Sequence, residues 1–272
     1  MAKTIFITGA SRGFGKLWAQ AFLERGDKVI ATARNLDSLK DLARQYPDTL
    51  LPLQLDVTDR AAVFATVSKA ADHFGQIDVL INNAGYGLFG AVEEASEKEA
   101  RAQLEVNVFG LLWATQAVLP LMRRQGSGHI IQVSSILGIT TVPTMGLYNA
   151  TKFAIEGLSE TLATEVGHFG IHVTLVEPNA YSTDFIGGSA ARSTPIPSYE
   201  PIHKAASESF AQEDIWGDPK ATPTAILKLV DAPHPPLRLF LGKKALPWAQ
   251  EAYKNRLATW EEWNDVAVAA HG

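Results

Sequence analysis

Thr4-Ile5-Phe6-Ile7-Thr8-Gly9-Ala10-Ser11-Arg12-Gly13-Phe14-Gly15 is a short apolar run that ends in glycines. The run Thr4–Thr8 has the length and β-branched content of a buried strand. The glycines, spaced Gly-x-x-x-Gly-x-Gly, stop it, and a helical pattern begins at Gly15 and reaches Arg25. Glycines at such a junction permit a tight turn and let backbone amides approach a pyrophosphate, while the helix N-terminus adds positive potential. A glycine turn between strand and helix is also found with no ligand. Its place at the first strand–helix junction is what points to one.

The same alternation continues along the chain. Strand-like runs at Lys28–Ala33, Leu50–Leu55, Val79–Asn83, His129–Ser134, Ile171–Glu177 and Leu237–Leu241 are short and apolar. Helical patterns fall at Asp37–Gln45, Asp59–Phe74, Glu97–Arg124, Tyr148–Phe169, Pro219–Val230 and Ala245–Trp263. Alternating strand and helix predicts an α/β fold: a doubly wound, mostly parallel seven-stranded sheet with helices on both faces. At 272 residues, with no repeat or linker, residues 1–272 read as one domain. Only Ala180–Gly217, rich in Ser, Pro and Gly with scattered aromatics, breaks the rhythm. An insertion there predicts a lid over the ligand crevice.

Composition sets outer bounds. An apolar share of 46% and a charged share of 19% are those of an ordinary globular chain. A net charge of −5 and the lack of a basic stripe argue against nucleic acid as a partner. With zero cysteines, disulfides, thiolate metal sites and a cysteine nucleophile are excluded, which suits a cytoplasmic enzyme. No metal is expected, since His168 and His172 straddle Gly170 with no carboxylates beside them. The N-terminal run is too short for a signal peptide, and Leu104–Met122, the best membrane candidate, is interrupted by Glu105, Asn107 and Gln116.

Two arginines bear on which nucleotide binds. The second strand ends in Arg34, where NAD-binding folds place an acid for the ribose hydroxyls, and no acid follows until Asp37. Arg12 sits near a helix start, where a cation opposes the helix dipole. An anion between the two arginines would resolve that conflict, and a 2′-phosphate fits. This reading predicts NADPH/NADP+ over NADH; the other is two solvated surface arginines.

Tyr148 and Lys152 are four apart on a helical pattern and share a face, with Ser135 thirteen residues before the tyrosine. Tyr148, Lys152, Ile155, Leu162 and Val166 fall on one stripe, with Leu158 beside it. A lysine on an inward face is rarely tolerated unless paired or employed. A cation beside a phenol favours the phenolate, and a serine hydroxyl can hold a carbonyl oxygen, so the set suits proton transfer at a ketone or alcohol oxygen. Asn107 shares an inward stripe with Leu104, Val108, Leu111, Thr115 and Val118. It is either part of this set or a buried amide satisfied by nearby backbone.

Taken together, these segments resemble the short-chain dehydrogenase/reductase family over nearly the whole chain. The resemblance rests on the Thr8–Gly15 turn, Asp56-Val57, Asn82-Asn83-Ala84-Gly85, Asn107, Ser135, Tyr148 and Lys152, in order and spacing. It implies a catalytic set of Asn107, Ser135, Tyr148 and Lys152. In it the tyrosine is general acid or base, and the serine steadies the substrate oxygen. The lysine lowers the tyrosine pKa and bonds the nicotinamide ribose, while the asparagine supports a water chain to that lysine. It implies cofactor contacts from Gly9, Ser11, Arg12, Gly13, Phe14 and Gly15, from Arg34, Asp56 and Val57, and from Asn83, Ala84 and Gly85. Tyr148, Lys152, Pro178 and Thr183 complete them. The chain departs from the family at Pro178-Asn179, where Pro-Gly is usual; Asn tolerates a left-handed conformation, so the turn is expected to survive.

The implied activity is NADPH-dependent reduction of a hydrophobic ketone to a secondary alcohol, reversible in principle. The stretch Tyr148–Phe185 is most similar to the steroid and retinol dehydrogenase branch, which suggests a steroid-like or bicyclic ketone. Tyr181, Phe185, Tyr199, Phe210 and Trp216, with Tyr86, Leu88 and Phe89, either line an apolar pocket or pack the lid onto the body. The rival reading is a non-catalytic NADP(H)-binding regulatory protein, against which the complete catalytic set weighs. Halohydrin-type lyase chemistry is disfavoured by the retained Lys152 and glycine turn. A homo-oligomer, dimer or tetramer, is expected through Leu104–Met122 and Phe153–Val166. The tail residues Trp248, Tyr253, Trp260 and Trp263 either cover a neighbour or cap the body.

Overall fold

The computed structural model describes residues 2–272 except Ile186 and Ser189, which fall within the expected lid and lie outside the described residues, as does Met1. Strands β1 (Thr4–Ile7), β2 (Lys28–Ala33), β3 (Leu50–Gln54) and β4 (Val79–Asn82) are followed by the two-residue β5 (Leu88–Phe89). Then come β6 (Gly128–Val133), β7 (Ile171–Pro178), the two-residue β8 (Ala191–Arg192) and β9 (Arg238–Leu241). Seven of them form one sheet in the order β3-β2-β1-β4-β6-β7-β9, parallel throughout, and β5 pairs with β8. The chain winds outward from β1 to β3, then returns to place β4 on the other side of β1. In such a sheet the crevice for a ligand opens at that reversal, beyond the strand carboxyl ends.

Helices α1 (Gly13–Glu24), α2 (Lys40–Gln45), α3 (Arg60–Phe74), α4 (Glu97–Leu104), α5 (Leu111–Gln125) and α6 (Gly146–Val166) connect the strands. They are followed by α7 (Glu200–Phe210), α8 (Thr222–Asp231), α9 (Ala245–Glu262) and α10 (Asn264–Ala269). The pleat of β1 divides the core between two faces. Ile5 and Ile7 pack with Trp18 and Phe22 of α1 and Ile226 and Leu229 of α8. Phe6 points the other way, toward Val63 and Val67 of α3 and Val118 and Met122 of α5. Each such fully buried side chain contributes about 1.5–3 kcal/mol, so both layers hold the sheet rigid beneath the crevice.

Two expectations change. The helical pattern Glu97–Arg124 is one rod, but Glu105–Gly110 forms a π-turn between α4 and α5. By length and composition this rod is apolar enough to cross a membrane; in the fold, α5 packs on β4, β6 and α3. The segment 180–217 is not only loop: it contains α7, whose second residue is Pro201, a position where the missing N–H costs nothing. Along the inward stripes Leu104 and Leu158 stand exposed, because the π-turn re-phases the first helix and α6 presents Glu156 and Ser159 instead.

Candidate active site

The glycine turn is fastened to the end of β4. Thr8 Oγ1 accepts from the backbone N–H groups of Asn83 and Ala84, both at 3.0 Å. The Asn83 side chain donates to Thr8 O at 3.0 Å and Gly9 O at 2.9 Å. Gly9 has φ +68°, and a Cβ there would lie 2.9 Å from Ala84 Cα; at Gly15 a Cβ would lie 2.5 Å from Gly9 O. Only glycine fits either place. The turn thus exposes backbone N–H groups at the start of α1, which suits a pyrophosphate.

From this turn a cavity of about 930 Å³ runs along the carboxyl ends of the sheet. Gly9, Ser11, Arg12, Gly13 and Phe14 line its near end, with Arg34, Asp56, Val57, Asn83, Ala84 and Gly85 around them. Gly15 is absent from this wall; it lies buried under the turn. Arg12 and Arg34 are exposed at the cavity mouth, and neither has a carboxylate partner among the described residues. Asp37, the first acid after Arg34 in the sequence, is held 2.6 Å from Lys40. A dinucleotide fits the near end on these observations: unobstructed backbone and two guanidinium groups with no carboxylate partner among the described residues.

Ser135, Tyr148, Lys152, Pro178 and Thr183 line the far end. Lys152 Nζ donates to Val133 O at 2.8 Å and stands 5.4 Å from the Tyr148 ring centre. Burial pulls the Lys152 pKa down to about 8, against the opposing pull of the Glu156 carboxylate. Burial pushes the Tyr148 phenol above its ordinary value, and a hydrogen bond with Ser135 offsets part of this. The expected depression of the phenol pKa is therefore reversed in this pocket: desolvation outweighs the hydrogen bond that favours the phenolate.

Asn107 does not reach the cavity wall. From the π-turn its side chain accepts from Tyr86 N at 3.1 Å and donates to Tyr86 O at 3.0 Å and Thr151 Oγ1 at 3.2 Å. Thr151 Oγ1 donates to Tyr148 O at 2.8 Å. The amide thus links the segment after Gly85 to the helix that carries Tyr148. Two of its three contacts are to the Tyr86 backbone and the third is to the Thr151 hydroxyl.

Behind Lys152 lies a charged cluster that sequence reasoning missed. Glu156 accepts from Ser134 Oγ at 2.6 Å and from Arg238 Nε at 3.1 Å. Glu177 is fully buried on β7, 3.5 Å from the same guanidinium, and burial followed by the Glu156 charge pushes its pKa to about 8. The available signal was the position of Glu156, four residues beyond Lys152 and so on the same inward face.

Asn179 departs from expectation. Among described non-glycine residues only Thr144 has positive φ, so Asn179 is not left-handed. Its backbone N–H donates to Leu241 O at 2.9 Å and its side chain to Ile215 O at 2.7 Å, tying the sheet edge to the lid. Above the tyrosine, Phe185 packs on Tyr148 at 5.2 Å between ring centres. Tyr86, Phe89, Tyr181, Phe210 and Trp216 also line the cavity, as do Leu137, Val142, Met145, Ile202 and Trp248. Leu88 and Tyr199 do not: Leu88 is buried elsewhere, and Tyr199 donates to Glu93. No cluster of potential metal ligands occurs among the described residues.

A doubly wound parallel sheet whose glycine turn opens on a cavity ending in a buried tyrosine–lysine pair defines a Rossmann-type dehydrogenase architecture. The family model for short chain dehydrogenase matches residues 3–192. Oxidoreductase BOA17 of Botryotinia fuckeliana is 39% identical over 99% of this chain and 100% of its own length. A 3-ketodihydrosphingosine reductase of Bacteroides thetaiotaomicron is 38% identical over 88% of this chain and 87% of its own. A short-chain dehydrogenase structure from Streptomyces avermitilis superposes with a TM-score of 0.92 at 39% identity, covering 99% and 98% of the two chains. An alcohol dehydrogenase from the archaeon Thermococcus sibiricus, complexed with 5-hydroxy-NADP, gives 0.74 at 28% identity, covering 89% and 96%. This chain belongs to the short-chain dehydrogenase family, and it is an oxidoreductase of that type with a nicotinamide cofactor.

Proposed function

We propose that this chain reduces a hydrophobic ketone to a secondary alcohol with NADPH, reversibly, and that Tyr148 is the proton donor. The carrying observation is the single cavity that joins the glycine turn to Tyr148 beneath an apolar roof. When bound, NADPH supplies the hydride that the carbonyl carbon takes up. Ser135 holds the carbonyl oxygen and Tyr148 passes its proton to it. The raised phenol pKa keeps that proton in place until the oxygen becomes strongly basic. Lys152 offsets the negative charge then left on Tyr148. Asn107, through Thr151 and Tyr86, positions the helix and the strand end that frame the site.

Arg12 and Arg34 favour NADPH, because neither is paired with a carboxylate among the described residues and a 2′-phosphate would supply the missing anion. The segment 180–217 acts as the lid, with Phe185 and Phe210 closing over the carbonyl. The Bacteroides relative is named for reducing a keto compound, which agrees with an apolar ketone substrate. We further infer a homo-oligomer, a cytoplasmic site of action suggested by the lack of cysteine, and a core rather than membrane role for the apolar rod.

NADPH consumption with aryl, bicyclic, steroid and long-chain ketones tests the reading. Tyr148→Phe is expected to lower kcat by about 10²–10⁴ while leaving NADPH affinity intact. Tight NADPH binding by the wild type with no turnover of any ketone would favour the regulatory reading instead.

A further inference from the structure

Helix α9 leaves the body partway along its length. Ala245 and Ala249 are buried in the core, whereas every residue from Leu257 onward is exposed. An uncovered helical segment has little stability of its own, because most helical stability in proteins comes from packing an apolar face. This segment carries such a face. Leu246, Tyr253, Leu257 and Trp260 recur at helical spacing on one stripe, and 52%, 47%, 49% and 59% of their surfaces are exposed. Tyr253, Leu257 and Trp260 form an exposed apolar run beyond the buried Ala249, with Leu246 exposed one turn before it, and an exposed apolar face of this kind marks a contact surface.

The charges beside the stripe select its occupant. Lys254 and Glu261 lie along the same flank, seven positions apart, one on either side of Leu257. Two copies running antiparallel about a two-fold axis beside Leu257 bring Lys254 of each opposite Glu261 of the other. Arg256 is engaged within its own chain, over the rings of Phe153 and Tyr253. Glu251, Glu261, Glu262 and Asp265 outnumber the bases Lys254 and Arg256, which opposes docking on an anionic membrane.

We propose that α9 is a dimerisation helix: its stripe packs antiparallel on the same stripe of a second copy of this chain, and reciprocal Lys254–Glu261 pairs set the register. This rests on the homo-oligomer reading above and gives it an interface. The stripe offers on the order of 400 Å² per copy, about half of one side of a standard interface. The dimer is therefore concentration-dependent, and charge decides its register.

Sedimentation equilibrium of the full chain over a dilution series tests it, with circular dichroism confirming that each variant folds. The wild type is expected to dimerise reversibly and Trp260→Glu to be monomeric. Lys254→Glu should weaken the dimer about tenfold or more, by setting like charges face to face, and Lys254→Glu combined with Glu261→Lys should restore it. A wild type that stays monomeric throughout refutes the oligomer reading and this interface together. An oligomer that ignores Trp260→Glu, or a charge reversal without rescue, refutes the interface alone. Sedimentation of monomeric protein with anionic vesicles, lost in Trp260→Glu, would assign the stripe to a membrane and overturn the proposal. Should Trp260→Glu not fold, the charge reversal and its rescue decide by themselves, since both residues are exposed.

Discussion

Arg12 and Arg34 carry the proposed preference for NADPH over NADH. Both guanidinium groups stand at the cavity mouth, and the acid that would favour a bare ribose, Asp37, is already paired with Lys40. A charge-assisted hydrogen bond is worth about 1.5–3 kcal/mol, so Arg34→Ala and Arg12→Ala are each expected to weaken NADPH binding about ten- to a hundredfold. NADH binding should change little, and fluorescence titration with both nucleotides checks the contrast. An equal loss for both nucleotides would remove these arginines from any 2′-phosphate site. Tyr148 and Lys152 are legible at this scale because helical spacing alone brings them together. The direction of the Tyr148 shift is not, since it depends on how dry the pocket is.

At the scale of elements, the join between β7 and β9 carries the departure from the family pattern. Asn179 follows β7, and its Oδ1 lies where a Cβ on Gly242, just after β9, would fall, at 1.6 Å. Gly242 also has φ +97°, so Gly242→Ala meets both a clash and backbone strain. That variant is expected to lose roughly 2–4 kcal/mol in urea denaturation. In an Asn179→Gly background only the strain remains, and the cost of Gly242→Ala should fall to about 1–2 kcal/mol. Equal costs in the two backgrounds would mean that the side chains do not compete for this space. The π-turn is the other element that spacing hides. Apolar periodicity reads through Glu105–Gly110 as ordinary helix, and only the π-turn brings Asn107 to the backbone of Tyr86.

Across the whole molecule, the buried acid Glu177 couples protonation to folding. Unfolded, its carboxyl loses a proton in the ordinary range near pH 4.3; folded, burial and the neighbouring Glu156 hold the proton until about pH 8. Between those values the folded chain binds more protons than the unfolded one, so stability falls as pH rises through this window. Glu177→Gln removes the titration. It is expected to stabilise the protein by on the order of 2 kcal/mol at about pH 8, and by much less at about pH 5. Thermal melts of both proteins across this range test the sign, and a gap that narrows with rising pH would contradict it.

The sequence by itself determined the order of strands and helices, the parallel sheet, the glycine turn and the pairing of Tyr148 with Lys152 on one helix face. These depend on local periodicity, glycine conformation and helical spacing, all short-range properties of the chain. Only the tertiary structure decided which polar groups share an interior. Glu156, Glu177 and Arg238 come from α6, β7 and β9, and Asn179 reaches Ile215 across the lid. It also decided where burial reverses a pKa and where α9 runs out of body to pack against. Those outcomes depend on which surfaces the folded layers exclude from water, and that is set by contacts between residues far apart in the chain.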